Sequence, residues 1–396
     1  MKILLINDYA TPTGGAAISI LTLRDLLRQK GHDVRLFSSS VRISGQKPLA
    51  DYYCFGTTSR FRTLLQTVNI FAWFRLRQVL KEFKPDIVHV VLFLTQLSPL
   101  ILPLLKNIPC LLQVVWYRSI CPLGTKRLPD NSICQVKAGK PCYVNSCLPL
   151  RDFLPLMLQM NLLRSWYFVF DLIVANSDYV KTAFEKENIK VSSVIYHGFP
   201  KQETRSNLSS IPLVGFAGRL VSEKGVDLLI KAFSDVVKVI PNAQLIIAGS
   251  GSEDKNLKNL IKELNLNSSV EMLGYIPQKK LGSTFNQVWV QVVPSLWAEP
   301  FGMVATEAML REIPVIASKI GGLQEIVQDG ITGILIPVGD RKALSSALIK
   351  LLSNVDLIEQ MGKAAQKVAL TKFTEEIMVE KFSQIYQKLL KNEIRN

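Results

Sequence analysis

Apolar positions along this chain follow two alternating periods. Short β-rich runs, KILLIN (2–7), DVRLFSS (33–39), PDIVHVVLF (85–93), PCLLQVVW (109–116), DLIVANS (171–177) and SSVIYHG (192–198), are separated by stretches with helical spacing. An example of the second kind is SILTLRDLLRQKGH (19–32), closed by Gly31. Strand followed by helix, repeated, predicts a parallel, doubly wound α/β sheet. The pattern breaks at KQETRSNLSSIP (201–212), a polar stretch ending in proline that reads as an interdomain linker. It then restarts with PLVGFAGRL (212–220), the helix GVDLLIKAFSDVVKVI (225–240), QLIIAGSG (244–251), SVEMLGYIP (269–277), VWVQVVPS (288–295), PVIASKIGG (314–322) and TGILIPVGD (332–340). Two consecutive Rossmann-like units with a cleft between them follow from this double series. The expected division is 1–200, the linker 201–212, 213–374, and a helical, basic segment 375–396 packing back toward the first domain.

At 396 residues, 48% of them hydrophobic and 20% charged, each half can bury its own core. The most membrane-like window, IVHVVLFLTQLSPLILPLL (87–105), carries His89, Gln96, Pro99 and Pro103 and splits better into a buried strand and a helix. The opening MKILLIND is too short for a signal-peptide core, so a cytoplasmic protein is expected. Charge alters this picture. Residues 1–200 hold 24 Lys and Arg against 12 Asp and Glu, whereas the remainder holds 23 against 20. A basic first half points to an anionic partner: a membrane face, a nucleic acid or a phosphorylated carrier. A basic surface kept for solubility is the plain alternative.

In open α/β sheets ligands meet the loops beyond the strand C-termini, and four of those loops are unusual. DYATPTGGAAIS (8–19) sets Gly14 and Gly15 before a helix, where backbone N–H groups can meet an anion. Its glycine spacing is not that of a dinucleotide fingerprint. GFAGRLVSEKGVD (215–227) places Gly218, Arg219 and Lys224 around a strand-to-helix turn, a planar fork and a point charge suited to a diphosphate, or simply exposed loop charges. AGSGSED (248–254) offers Gly249 and Gly251 at another strand end, with a plain turn as the competing account. The fourth, SLWAEPFGMVATEAML (295–310), carries Glu299 on the loop entering a helix and Glu307 more than one turn inside it, on either side of the helix start. Two carboxylates flanking an anion pocket suit a ligand with phosphate at one end and hydroxyls at the other.

Together these loops resemble the retaining glycosyltransferases of family 4, which have the GT-B fold. The matching motifs are GRLVSEKG, AGSGSE, LGYIP, PSLWAEPFGMVATEAM, IPVIASKIGGLQEIV and DGITGILIPVGD, in that order and covering nearly all of 213–340, with the Gly14-Gly15 loop and IYHG (195–198) extending the likeness. The resemblance implies a nucleotide-sugar donor and a glycan or lipid-linked acceptor in polysaccharide or glycolipid synthesis. It implies that Arg219 and Lys224 hold the donor diphosphate and Glu299 the sugar hydroxyls. Phe301, Gly302 and Met303 would present N–H groups to sugar or phosphate, Glu307 would bind ribose, and Gly14 and Gly15 would lie against the diphosphate and acceptor side. It implies no cofactor for catalysis. One departure stands out: where members of the family often carry a histidine, VVWYRSICP places Val115, with Arg118 the nearest substitute. Loss of catalysis with donor binding retained is therefore an alternative.

Four of the six cysteines, Cys121, Cys134, Cys142 and Cys147, fall in the insertion 121–147, at spacings that lack a C-x2-C knuckle. A structural zinc or iron–sulfur centre, reduced thiols and disulfides all remain open from sequence. The next segment, LPLRDFLPLMLQMNLLRSWYFVFD (148–171), reads as either a packed helix or a surface facing lipid, which would make the protein peripheral on the inner face of a membrane. A nucleic-acid-binding protein is disfavoured, since the basic half lacks aromatic-rich binding motifs and leaves the spaced glutamates unexplained.

Overall fold

The computed structural model of the protein describes residues 1–12, 14–43, 45–59, 62–130, 132–206 and 208–391, with the Lys279 side chain left aside. The last five residues of the C-terminal segment, 392–396, lie outside the described residues. Among the described residues the chain forms two compact units, one within 1–198 and 375–391 and one within 199–374.

In the first unit the strands are β1 (Lys2–Asn7), β2 (Asp33–Ser39), β3 (Tyr52–Cys54), β4 (Ile87–Leu92), β5 (Cys110–Val114), β6 (Leu172–Ala175) and β7 (Ser193–Val194). They lie in the order β3-β2-β1-β4-β5-β6-β7, and their pairings are parallel. β1, β4, β5 and β6 are covered on both faces, which is why they read as unbroken apolar runs rather than alternating ones. After β4 the membrane-like window continues as a 3₁₀ helix, Pro99–Leu105, with Pro103 inside it.

The C-terminal helix Glu375–Leu390 belongs to this first unit, although it follows the whole of the second in sequence. It lays Met378, Val379, Phe382, Tyr386 and Leu389 into the core built on Ile3, Leu5, Ile20, Leu23 and Leu27. The Tyr386 hydroxyl lies 2.7 Å from Nδ1 of buried His89, so this histidine is tied into the helix packing.

The insertion after β5 has its own small core, with Ala138, Cys142 and Leu148 packed on Leu156 and Met160 of the helix Leu150–Ser165. A shielded ion pair, Lys126 Nζ to Glu187 Oε1 at 2.7 Å, ties it to the rest of the unit. This apolar anchorage was not evident from the insertion's polar composition.

The second unit holds β8 (Leu213–Ala217), β9 (Gln244–Ala248), β10 (Val270–Gly274), β11 (Val290–Val293), β12 (Val315–Ser318) and β13 (Gly333–Ile336). Their order is β10-β9-β8-β11-β12-β13, again with parallel pairing. The strand order reverses between β8 and β11, which makes the loops leaving those two strands the switch point of this sheet, the place where ligands meet sheets of this kind. Residues 201–206 pack onto this unit: the Arg205 N–H donates to Arg311 O (3.0 Å) and the Ser206 N–H to Asn286 Oδ1 (2.9 Å).

Candidate active site

The loop after β8 runs from Gly218 through a 3₁₀ turn, Ser222–Lys224, into the helix Val226–Val239. Gly225, at φ +64°, makes that turn possible, because a β-carbon there would lie 2.2 Å from the Pro294 carbonyl at the end of β11. The close approach presses the two switch-point loops together. Its consequence is a direct pair: Lys224 Nζ lies 2.8 Å from Glu299 Oε1, with the two side chains 18% and 10% exposed. Ser295 Oγ also donates to Glu299 Oε1, and Lys224 Nζ sits 5.9 Å from the centre of the Trp297 ring. A lysine held this way keeps one defined position with donor capacity to spare.

The loop carrying Glu299 is itself braced. Gly321, at φ +60°, and Gly322 run against its backbone, and the Gly322 N–H donates to Glu299 O at 2.8 Å. Phe301 is buried in the second unit among Phe199 and Phe373. Gly302, at φ +129°, opens the helix Met303–Leu310, and its carbonyl accepts from the Ala305 and Thr306 N–H groups at 3.0 and 3.2 Å, so Met303 and Val304 form the open end of the helix. Glu307, one turn further, is buried and accepts from Gln278 Nε2 at 2.7 Å. Burial pushes its carboxyl above the usual range, while the Gln278 hydrogen bond and the nearby Arg311 charge pull the other way.

Not every expected residue joins this group. The Arg219 side chain is 67% exposed, with only a loose contact to Glu223 at 3.5 Å. Gly249 and Gly251 have an internal reason to be glycine: their β-carbons would sit 1.8 Å from Gly218 O and 2.1 Å from Leu220 O. They let the loop after β9 pack against the loop carrying Gly218, and the Leu220 N–H donates to Ser250 O at 3.0 Å. Gly249→Ala, at φ +151°, is accordingly expected to destabilise the second unit by about 3 kcal/mol, lowering its urea midpoint. An unchanged midpoint would show that the loop relaxes freely. Gly14 and Gly15 belong to the first unit, where Gly14 caps the helix Gly15–Gln29 with nothing within 4 Å of its would-be β-carbon.

At the β1–β4 switch point of the first unit stands Asp8, which the sequence reading passed over. Its buried carboxylate accepts from the N–H groups of Thr95, Gln96 and Leu97 and from Thr95 Oγ1, at 2.7–3.0 Å. Burial raises its carboxyl and those hydrogen bonds lower it, with burial the larger effect. The signal was available: an aspartate directly after an apolar strand. Val115 is buried at the end of β5 and offers only its backbone carbonyl, to Asn176 Nδ2 at 3.3 Å. Arg118 is also buried; desolvation pulls its guanidinium down to about 10, which leaves it charged, and it donates to Gln66 Oε1 at 3.1 Å. Gln278, the partner of Glu307, carried no separate signal because it is defined by a contact between distant segments, whereas Ser295 lies only four residues before Glu299 in the same loop.

The four clustered cysteines are free thiols, Cys121 and Cys142 buried and the other two half-buried. Burial raises Cys142 and Cys147, and the neighbouring thiols push in the same direction. Among the described residues no group of three or more His, Cys, Asp or Glu side chains is set to hold a metal ion. No step of the site chemistry is therefore assigned to zinc or an iron–sulfur centre.

Residues 201–368 match the family described as Glycosyl transferases group 1, and residues 13–114 match Glycosyltransferase Family 4. The chain belongs to the family 4 type of glycosyltransferase. An uncharacterised glycosyltransferase of Methanocaldococcus jannaschii is 32% identical over 55% of this chain and 60% of its own. The chain spans about half the length of the curated relatives it matches. Sucrose-phosphate synthase from Thermosynechococcus elongatus superposes with a TM-score of 0.75 at 22% identity, covering 99% of this chain and 100% of that one. HepE of Anabaena, solved with UDP and glucose, gives 0.69 at 20% identity over 98% and 100%. These likenesses make the fold of this family 4 glycosyltransferase GT-B.

Proposed function

We propose that the protein transfers a hexose from a nucleoside-diphosphate donor to a glycan or lipid-linked acceptor, retaining anomeric configuration, in the assembly of cell-surface polysaccharide or glycolipid. The observation that carries this reading is the shielded Lys224–Glu299 pair at the β8–β11 switch point, with Glu299 on the loop that leads through Pro300 and Phe301 to the helix start at Gly302. Lys224 and Arg219 would neutralise the diphosphate, so that the bond between the sugar C1 and the phosphate oxygen breaks with its electron pair on the phosphate. The acceptor hydroxyl would attack C1 from the same face, its proton passing to the departing phosphate oxygen. Glu299 would accept from the sugar hydroxyls and Glu307 from the ribose. The positive charge of Arg219 and Lys224 would let this proceed without a metal. A solved neighbour of the same fold holds UDP and glucose, which supports a nucleotide sugar as donor. The basic first half supports an acceptor that carries or lies near anionic groups.

Val115, standing where a histidine is common, favours a second reading: donor binding without transfer. Thermal unfolding with a panel of UDP-, GDP- and ADP-sugars tests the shared part. A matching donor at a hundred times its Kd is expected to stabilise the protein by about 2.7 kcal/mol, and Glu307→Gln to reduce that gain. No shift with any donor would remove both readings; a shift without donor turnover would favour the second.

A further inference from the structure

Two helices of the first unit are apolar on faces that the core does not use. In the helix Ile70–Phe83, Ala72, Leu76, Val79 and Phe83 point inward, yet Ile70, Phe71 and Phe74 are more than half exposed. In the helix Leu150–Ser165, Leu156, Met160 and Leu163 are buried, while Leu150, Leu154 and Leu158 form a second stripe at four-residue spacing on the outside. A surface helix needs one apolar stripe to fold; a second in water carries a standing penalty unless something covers it.

The two faces are continuous. The short helix Arg62–Thr67 lies between them, fixed by Thr63 Oγ1 to Asp152 Oδ1 (3.1 Å) and Thr67 Oγ1 to Pro155 O (3.1 Å). Leu64, Val68, Phe55 and Leu158 line one open groove of about 530 Å³, and Phe55 meets Phe71 edge-on at 5.4 Å. The most exposed side chains, Leu64, Phe74 and Leu154, stand 62%, 63% and 64% in water.

Charge says what covers this face. Arg62, Arg75, Arg77, Lys81 and Arg151 lie on the same three helices, and the Arg151 side chain is 86% exposed. The acidic side chains on these helices are Glu82, which accepts from Gln78, and Asp152, which accepts from Thr63 and Arg151. Projecting leucines and phenylalanines within a field of arginines match the boundary of an anionic bilayer, where apolar tips enter the acyl region and guanidinium groups meet headgroup phosphates. Among the described residues no helix is long and apolar enough to cross a membrane.

We infer that the face formed by the helices Arg62–Thr67, Ile70–Phe83 and Leu150–Ser165 seats the protein on an anionic membrane surface, with Leu64, Phe74 and Leu154 as its apolar tips. The test is co-sedimentation of the full chain with vesicles of phosphatidylglycerol and phosphatidylethanolamine, against phosphatidylcholine alone, at low and high salt. The wild type is expected to bind the anionic vesicles at low salt, less tightly at high salt, and the neutral vesicles at least tenfold more weakly. Leu64→Glu/Phe74→Glu/Leu154→Glu is expected to lose at least tenfold in binding. Val239→Glu, an equally exposed change on the second unit, is expected to change nothing. All three tips are exposed, so the triple variant opens no cavity, and its circular dichroism melt should match the wild type.

Absence of wild-type binding at low salt overturns the inference. So does a triple variant that binds like the wild type, or equal affinity for neutral vesicles. A wild-type dimer that the triple variant abolishes, without vesicle binding, assigns the face to a second copy instead. Vesicle binding is read without donor or turnover, so failure here leaves the proposed transferase reaction standing, and failure of that reaction leaves this face unaffected.

Discussion

Lys224→Ala is expected to lower kcat by about 10²–10³-fold while weakening donor binding far less. The reason lies in how the lysine is held. Its ammonium is 2.8 Å from Glu299 in a site shielded from water, so the charge is already in position when negative charge grows on the leaving phosphate. A group placed in advance contributes most where the charge changes most, which is the transition state. Glu299 loses its cation in the variant and keeps the Ser295 hydroxyl, so some stability should be lost as well. Lys224→Arg separates the two effects, since it restores a cation for Glu299 but not a compact ammonium geometry. Turnover and a donor titration by calorimetry provide the measurement. Equal losses in kcat and affinity would mean that the lysine binds ground and transition state alike, and the assigned role would fail.

Acidification is expected to destabilise the first unit selectively. All three histidines, His32, His89 and His197, lie within residues 1–198. Burial holds His89 down at about 3 and His197 at about 4, both far below the ordinary value of 6.5. His197 sits 2.9 Å from Ser19 Oγ and 3.2 Å from Asn176 Nδ2, with no anion among those partners to welcome a proton. Both histidines are neutral in the folded unit throughout the range from pH 6.5 to about 4, whereas in the unfolded chain they are charged. The unfolded state therefore binds more protons there, and stability must fall as pH falls. Two shifts of this size amount to a loss on the order of 5 kcal/mol by pH 4. Asp8 acts in the opposite sense, because its raised carboxyl takes up a proton earlier in the folded unit and offsets part of the loss.

Tryptophan fluorescence can follow the two units separately. Trp73, Trp116 and Trp166 report on the first and Trp289 and Trp297 on the second. Urea midpoints at pH 7 and pH 4.5, measured in variants retaining one set or the other, should fall mainly for the first unit. His197→Asn should flatten part of that dependence. Identical midpoints at both pH values would contradict the buried, neutral assignment.

Much of this protein was legible in one dimension. The alternation of apolar strand and amphipathic helix is a local property of the chain, and it yielded two parallel-sheet units and nearly every strand. The strand it passed over, Tyr52–Cys54, is an edge strand of three residues, too short for any period to show, while the run 192–198 holds an edge strand of only two residues, Ser193–Val194. The glycines of the second unit were visible as a pattern, but their reason was not. Gly249 and Gly251 are glycine because another backbone passes within 2.1 Å of where a β-carbon would be, which is knowledge of a contact between strands distant in sequence.

What the chain by itself determined is the kind of fold and the chemical character of its loops, since periodicity and residue type are local. Tertiary structure alone decided the partnerships: Lys224 with Glu299 across 75 positions, Gln278 with Glu307, and the C-terminal helix with a core formed before residue 198. Strand order is the physical reason. Parallel sheets join their neighbours through crossovers, so the residues that meet at a switch point are far apart along the chain, and only the folded sheet brings them together. The exposed second stripes on two helices belong to the same class of fact, because a sequence displays apolar residues without saying which face the core will take.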